Sequence, residues 1–88
     1  MLFELKPTDS HKSFYGKCYC LMQDSEIVLY SYNVKIMVYS TIDKTLRRCW
    51  FGFSATTQRH INSFLQYVNR PEMQGKANFI SMDYGKTY

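Results

Sequence analysis

Trp50-Phe51-Gly52-Phe53-Ser54-Ala55-Thr56-Thr57-Gln58-Arg59-His60-Ile61-Asn62-Ser63-Phe64-Leu65-Gln66-Tyr67-Val68 is the stretch that decides the fold. An aromatic strand ends, Ser54 interrupts it, and a helix begins. Ser54 suits the N-cap because its hydroxyl can accept from the free amides of Thr56 or Thr57. Beyond it Ile61, Phe64, Leu65 and Val68 fall at i, i+3, i+4 and i+7, so one stripe of the helix is apolar. Asn69-Arg70-Pro71 ends it: Arg70 complements the negative helix end, and a residue before proline is pushed out of helical geometry. This is the one strong helix signal in the chain, so the residues before it must supply the surface on which it packs.

Working back from the helix, four alternating runs supply that surface. Leu46 to Phe53 separates Leu46, Arg48 and Trp50 from Arg47, Cys49, Phe51 and Phe53. Val34 to Thr41 sends Val34, Ile36 and Val38 one way and Lys35, Met37 and Tyr39 the other, with Asp43-Lys44-Thr45 as the following turn. Ile27 to Tyr32 sets Ile27 and Leu29 against Val28, Tyr30 and Tyr32, and Asn33 is the turn residue because it tolerates left-handed geometry. Ser13 to Met22 puts Phe14, Cys18, Cys20 and Met22 opposite Tyr15, Lys17 and Tyr19, with Gly16 allowing a bend, a bulge or a close neighbour. Gln23-Asp24-Ser25-Glu26 is of hairpin length. The expected fold is α+β: a four-stranded antiparallel meander sheet followed by one helix packed on one face, in the order β-β-β-β-α, with a short C-terminal extension. Residues 1–12 read as a loosely ordered lead-in from which Leu2, Phe3 and Leu5 can dock, residues 13–70 as the domain, and residues 71–88 as the extension. Within the extension, Ala77 to Tyr84 reads either as a short added strand or as a segment packed along an edge, and the last four residues as frayed.

Composition narrows the class of function. The chain has 88 residues, 45% of them hydrophobic and 17% aromatic, which suits one small folded domain and not a disordered one. No run reaches the roughly 18 apolar residues of a membrane span, and Met1 to Pro7 lacks the pattern of an export signal, so a cytoplasmic protein with no membrane partner is expected. Three cysteines, two of them as Cys18-Tyr19-Cys20, form a poor disulfide framework and fit a reducing compartment. Residues 27–71 hold six basic side chains, Lys35, Lys44, Arg47, Arg48, Arg59 and Arg70, against the single acid Asp43, a modest pointer to an anionic partner.

Signals for chemistry are weak. Cys18 and Cys20, with Cys49 and His60, could be assembled into a soft-metal site, but zinc sites favour Cys-x₂-Cys spacing and these two cysteines fall on the core face, where free cysteine packs as a small hydrophobe. A Cys49–His60 nucleophile pair would lack both an orienting carboxylate and an oxyanion motif. No cofactor motif is present, and a non-enzymatic protein is expected. His60 lies beside the apolar stripe, where its ring suits a hydrogen bond to a strand end or to the Thr56 carbonyl. The richer pattern is the sheet face away from the helix. Alternation assigns to it Tyr15, Lys17, Tyr19, Lys35, Tyr39 and one of Arg47 or Arg48, with Tyr30 and Tyr32 as neighbours; Arg59 and His60 on the helix complete the candidate binding residues. Rings that stack bases and cations that neutralise phosphates are the means by which single-stranded nucleic acid is held. The same residues suit a protein interface, and tyrosine is also an ordinary strand residue.

Several of these segments carry a resemblance. Ser13-Phe14-Tyr15-Gly16-Lys17, Leu29-Tyr30-Ser31-Tyr32, and Trp50 followed by Gly52-Phe53-Ser54-Ala55-Thr56-Thr57, Arg59-His60-Ile61-Asn62 and Phe64 resemble a family of small proteins of gut bacteria, their phages and mobile elements. The resemblance runs over about residues 13–65 and implies a phage or mobile-element accessory protein, without an activity or catalytic residues. The order of four strands then a helix also resembles the half-domain of small transcription coactivator-type proteins that dimerise and bind single strands. The expected function is therefore single-strand binding through the aromatic and basic sheet face. The alternatives are a protein-binding inhibitor or modulator of a host system such as defence, and a virion accessory protein. An exposed strand edge also gives a homodimer a route.

Overall fold

The computed structural model describes residues 1–8 and 13–88. Among these residues five strands form one antiparallel sheet in chain order: β1 (Leu2–Glu4), β2 (Cys18–Gln23), β3 (Glu26–Ser31), β4 (Val34–Ser40) and β5 (Thr45–Arg48). Helix α1 (Ala55–Tyr67) follows, then a 3₁₀ turn at Pro71–Met73 and a short helix α2 (Lys76–Ser81). The architecture is α+β, as the sequence leads one to expect, with one strand and one short helix more than the alternation shows.

The core lies between the sheet and both helices. Cys18, Cys20, Ile27, Leu29 and Leu46 from the sheet form one core with Ile61, Phe64 and Leu65 of α1, its C-cap Val68, and Phe79 and Met82 from the α2 segment. All four residues of the expected apolar stripe are buried. Ser54 caps α1, its Oγ accepting from the Thr57 amide at 3.0 Å, an interaction worth about 1 kcal/mol.

The face assignment changes at one residue. Tyr30 pairs with Lys35 but Leu29 pairs with Met37, so Ile36 is an extra residue in β4. Its carbonyl accepts from two amides of the next segment, Cys49 at 2.8 Å and Trp50 at 3.3 Å. A one-residue insertion inverts the side-chain parity beyond it. Lys35 therefore stays on the open face, as expected, whereas Met37 and Tyr39 turn to the helix side and Val38 turns away from it. Tyr39, expected on the open face, packs against the core instead.

Other boundaries move for local reasons. The first long strand begins at Cys18 and not Ser13, because Tyr15 (φ 53°) and Gly16 (φ 74°) make a tight turn closed by the Lys17 amide donating to the Phe14 carbonyl at 3.0 Å. The last strand stops at Arg48 because Cys49 and Trp50 both turn onto Ile36 and the Arg48 guanidinium draws the Trp50 carbonyl to 2.8 Å. Gly52 is required there: a Cβ would stand 2.5 Å from the Trp50 ring. Of the expected lead-in, Leu2–Glu4 is an edge strand with Phe3 opposite Cys20, while residues 9–12 lie outside the described residues. The segment Ala77 to Tyr84 is not a strand, since its first five residues are in α2. The chain end is not frayed either: Tyr88 exchanges two backbone hydrogen bonds of 2.9 Å with Leu46 on the outer edge of β5. Arg70 clasps this corner, donating to the Lys44 carbonyl at 2.8 Å and the Tyr88 carbonyl at 3.1 Å.

Candidate binding cleft and open sheet face

Both helices lie on one side of the sheet, and among the described residues no element covers the other. On that open side Tyr19 and Tyr30 are cross-strand partners whose rings stack 5.2 Å apart at an interplanar angle of 9°. Lys35 pairs with Tyr30 and completes the row, and the Tyr19 hydroxyl donates to Asn33 Oδ1 at 3.0 Å. One register step further, the Tyr32 amide donates to the Lys17 carbonyl at 2.8 Å, which joins Lys17 and Tyr32 to the same end of the sheet.

There a cleft of about 300 Å³ opens between the Tyr15–Gly16 turn, the Tyr32–Asn33 turn and the start of α1. Tyr15, Lys17, Tyr32, Thr56 and Arg59 line it, and His60 and Phe14 form its deeper wall. Tyr15 and Tyr32 are 79% and 50% exposed, so the first ring gains little from burial and the second only what its contact with His60 gives. Their backbones are also unfavourable. Tyr15 (φ 53°) and Tyr32 (φ 51°) each precede a second residue at positive φ, Gly16 (74°) and Asn33 (66°), the pattern of a type I′ turn. A left-handed non-glycine residue costs about 1–2 kcal/mol, and Asn, Asp or Gly would be the economical choice at either place.

His60 is 1% exposed and braces this wall. Its Nδ1 is 2.7 Å from the Ser31 hydroxyl at the end of β3, and Ser31 is 3.2 Å from the Thr57 hydroxyl. This is the strand-end hydrogen bond that its place beside the stripe suggests. The ring is edge-on to Phe14 at 4.4 Å and stacked under Tyr32 at 5.6 Å. Burial first, and the neighbouring Arg59 charge second, pull the imidazole pKa down to about 4, so it is neutral near pH 7. His60 thus supports Tyr32 instead of presenting a charge. The guanidinium of Arg59 is 5.9 Å from the Phe14 ring centroid.

Of the residues singled out from the sequence, the cleft gathers Tyr15, Lys17, Arg59 and His60, and the adjoining open face carries Tyr19 and Lys35. Arg47 is on the open face opposite Val38, but it lines a separate hollow that Glu26 and Asp43 also line, so acids accompany its charge. Tyr39 lies on the helix side, placed there by the extra residue Ile36. Arg48 is 6% exposed and faces the core. Its guanidinium donates to the carbonyls of Trp50 (2.8 Å), Phe79 (2.9 Å), Ile80 (3.2 Å), Met82 (3.3 Å) and Gly52 (3.4 Å), between the rings of Phe51 and Phe79. That is a clamp for α2 and the aromatic segment, and it leaves no donor face for an outside ligand. Thr56 and Phe14 are cleft residues that alternation does not reveal. The Tyr32-Asn33 pair before an apolar run was the one available signal for that side.

The cysteines have no part in the cleft. Cys18 and Cys20 are fully buried, and burial raises both thiols to about 12, with the Cys20 and Glu4 charges adding to the shift of Cys18. Among the described residues no three His, Cys, Asp or Glu side chains come together as metal ligands, and no helix is long and apolar enough to cross a membrane.

The fold and cleft define a small two-layer α+β domain, with helices on one face of a meander sheet and an aromatic, basic cleft between the start of α1 and two turns at one end of the sheet. A model of a family of unknown function (DUF8033) matches residues 3–81, and the chain belongs to that family. No curated protein and no solved structure matches it.

Proposed function

We propose that this chain is a non-enzymatic binding module of phage or mobile-element type that holds single-stranded DNA or RNA in the host cytoplasm. The observation that carries the reading is the stacked, half-buried Tyr19–Tyr30 pair beside exposed Lys35 on the sheet face away from the helices, with the cleft of Tyr15, Lys17 and Tyr32 at the same end of the sheet. Bases stack on rings with little regard for sequence at about 1–3 kcal/mol each, and exposed lysines exchange counterions for phosphates. A duplex keeps its base faces stacked inside and so cannot use the rings in this way.

Fluorescence anisotropy of a labelled mixed-sequence oligonucleotide, single- and double-stranded, tests it. Single-strand binding is expected, with log K falling against log salt at a slope of about −1.4 to −2.1, as for two or three phosphates neutralised. Tyr19→Ala is expected to weaken it at least about 5-fold, the lower end of a lost base stack. Absence of single-strand binding at low salt would end this reading.

One observation favours a second. Phe51, Phe53, Ile80 and Tyr84 are 48%, 41%, 50% and 84% exposed beyond β5, with Phe51 and Tyr84 rings 5.8 Å apart and Lys76 4.6 Å over Phe53. Exposed rings of this kind suit a protein partner, such as a host factor that the chain modulates, bound with little salt dependence. The edge of the sheet at β1 is where a second copy of the chain would add.

A further inference from the structure

Two tyrosines at the mouth of the cleft are held where backbone chemistry does not favour them. Tyr15 and Tyr32 are each the first of two left-handed residues in a tight turn; Tyr15 is largely exposed and Tyr32 half exposed. Turn geometry accounts for a large ring at neither place, and packing accounts for it only in part at Tyr32, whose outer half stays exposed. Strained residues persist where the surroundings over-determine them, and here the surroundings are built to do so. The Tyr15 amide donates to Ser13 Oγ at 2.9 Å and the Gly16 amide to Glu4 Oε1 at 3.1 Å, which fixes the first turn. The Tyr32 ring rests on the neutral, buried His60, itself tied to Ser31.

Resting on the single-strand reading, we infer that the cleft is a slot for one unpaired nucleotide. Its base lies against Tyr15 and Tyr32, and the adjoining phosphate meets Lys17. The volume, about 300 Å³, is at the lower bound of small-ligand sites, room for one nucleotide and none for a base pair. Lys17 is exposed at the cleft and adjoins the Tyr19–Tyr30 row, so a strand crossing the open face would turn its next base into the slot. The slot thus fixes the register of a strand that the open face alone would let slide.

Four-nucleotide thymidine strands carrying 2-aminopurine at each position in turn report the slot. One position is expected to be quenched at least about threefold more than the others, as stacking in one fixed place requires. The quenching should disappear in Tyr15→Gly and Tyr32→Gly. Glycine accepts positive φ, so both variants keep the turns. In parallel, anisotropy of a twelve-nucleotide oligothymidylate on the same variants should show binding retained but weakened about 5- to 10-fold. Equal quenching at all positions, or quenching unchanged in both variants, with oligothymidylate still bound, overturns the slot and leaves the single-strand reading standing. If the wild-type chain binds none of these strands, both fall together.

Discussion

Arg48 and Lys17 both stand among aromatic rings, yet the two regions use their cations in contrary ways. Around Arg48 the guanidinium is buried, five carbonyls accept from it, and Phe51 and Phe79 cover its faces. Around Lys17 the cation is exposed, and Tyr15 and Tyr32 present rings to solvent from strained turns. The first region turns charge inward to hold a short helix that could not stand alone; six residues are far below the length at which a helix is stable in water. The second spends backbone energy to keep rings and charge outside. Composition alone would call both basic-aromatic clusters. Satisfaction of hydrogen bonds and burial separate scaffold from binding surface.

The largest test of that contrast is Arg48→Ala. Removing the donor leaves several buried carbonyls unpaired, and a loss of about 3–5 kcal/mol is expected in urea or thermal unfolding. A change below about 1 kcal/mol would mean that α2 holds by apolar packing alone and that the clamp is incidental.

A smaller effect concerns pH. The His60 pKa is about 4 in the folded chain against about 6.5 unfolded, so the unfolded state takes up the proton first. Stability from this group is complete above about pH 6.5, falls as pH drops from there to about 4, and is level below. About 1–2 kcal/mol is expected after allowance for the open cleft beside the ring, read as a slope in denaturant midpoint that His60→Gln removes. An unchanged slope in that variant would show that the wall of the cleft titrates through another group.

The smallest change has the most informative sign. Tyr15→Gly is expected to stabilise the fold by up to about 1 kcal/mol by relieving the left-handed backbone, while the same variant binds single strands less well. Lower stability in Tyr15→Gly would instead give the ring a structural role and remove the contrast between the two regions.

How much of this was legible depends on length and period. Helix α1 announces itself through four apolar residues at helical spacing and a serine cap, and Cys18 and Cys20 declare the core face by alternation. The sequence pattern loses the sheet at Ile36, because one inserted residue reverses parity without altering composition, and Tyr39 is misassigned as a result. β1, with three residues, and α2, with six, are too short for any period to show, and both exist through partners remote in sequence: Cys20 for one, Arg48 for the other. Arg48 shares the parity of Leu46, so a core role was written in its position, but its carbonyl partners arise only when α2 docks. The cleft joins residues from three separated segments. Its lysine and tyrosines could be nominated from the sequence, but their meeting could not.

The extra residue in β4 also works as a phase shifter for the whole sheet. Before it the chain is written in one frame, with odd-numbered Lys35 addressed to the open side; after it odd-numbered Met37 and Tyr39 are addressed to the core. The Ile36 carbonyl is at the same time the hinge pin on which the chain after β5 pivots out of the sheet, since Cys49 and Trp50 both hang from it. Deleting this one position would not merely shorten a strand. It would leave Met37, Val38 and Tyr39 on the faces they already occupy, because Lys35 and Met37 would then alternate directly, but it would take away the carbonyl that holds Cys49 and Trp50 and unship the aromatic arm that leads into α1.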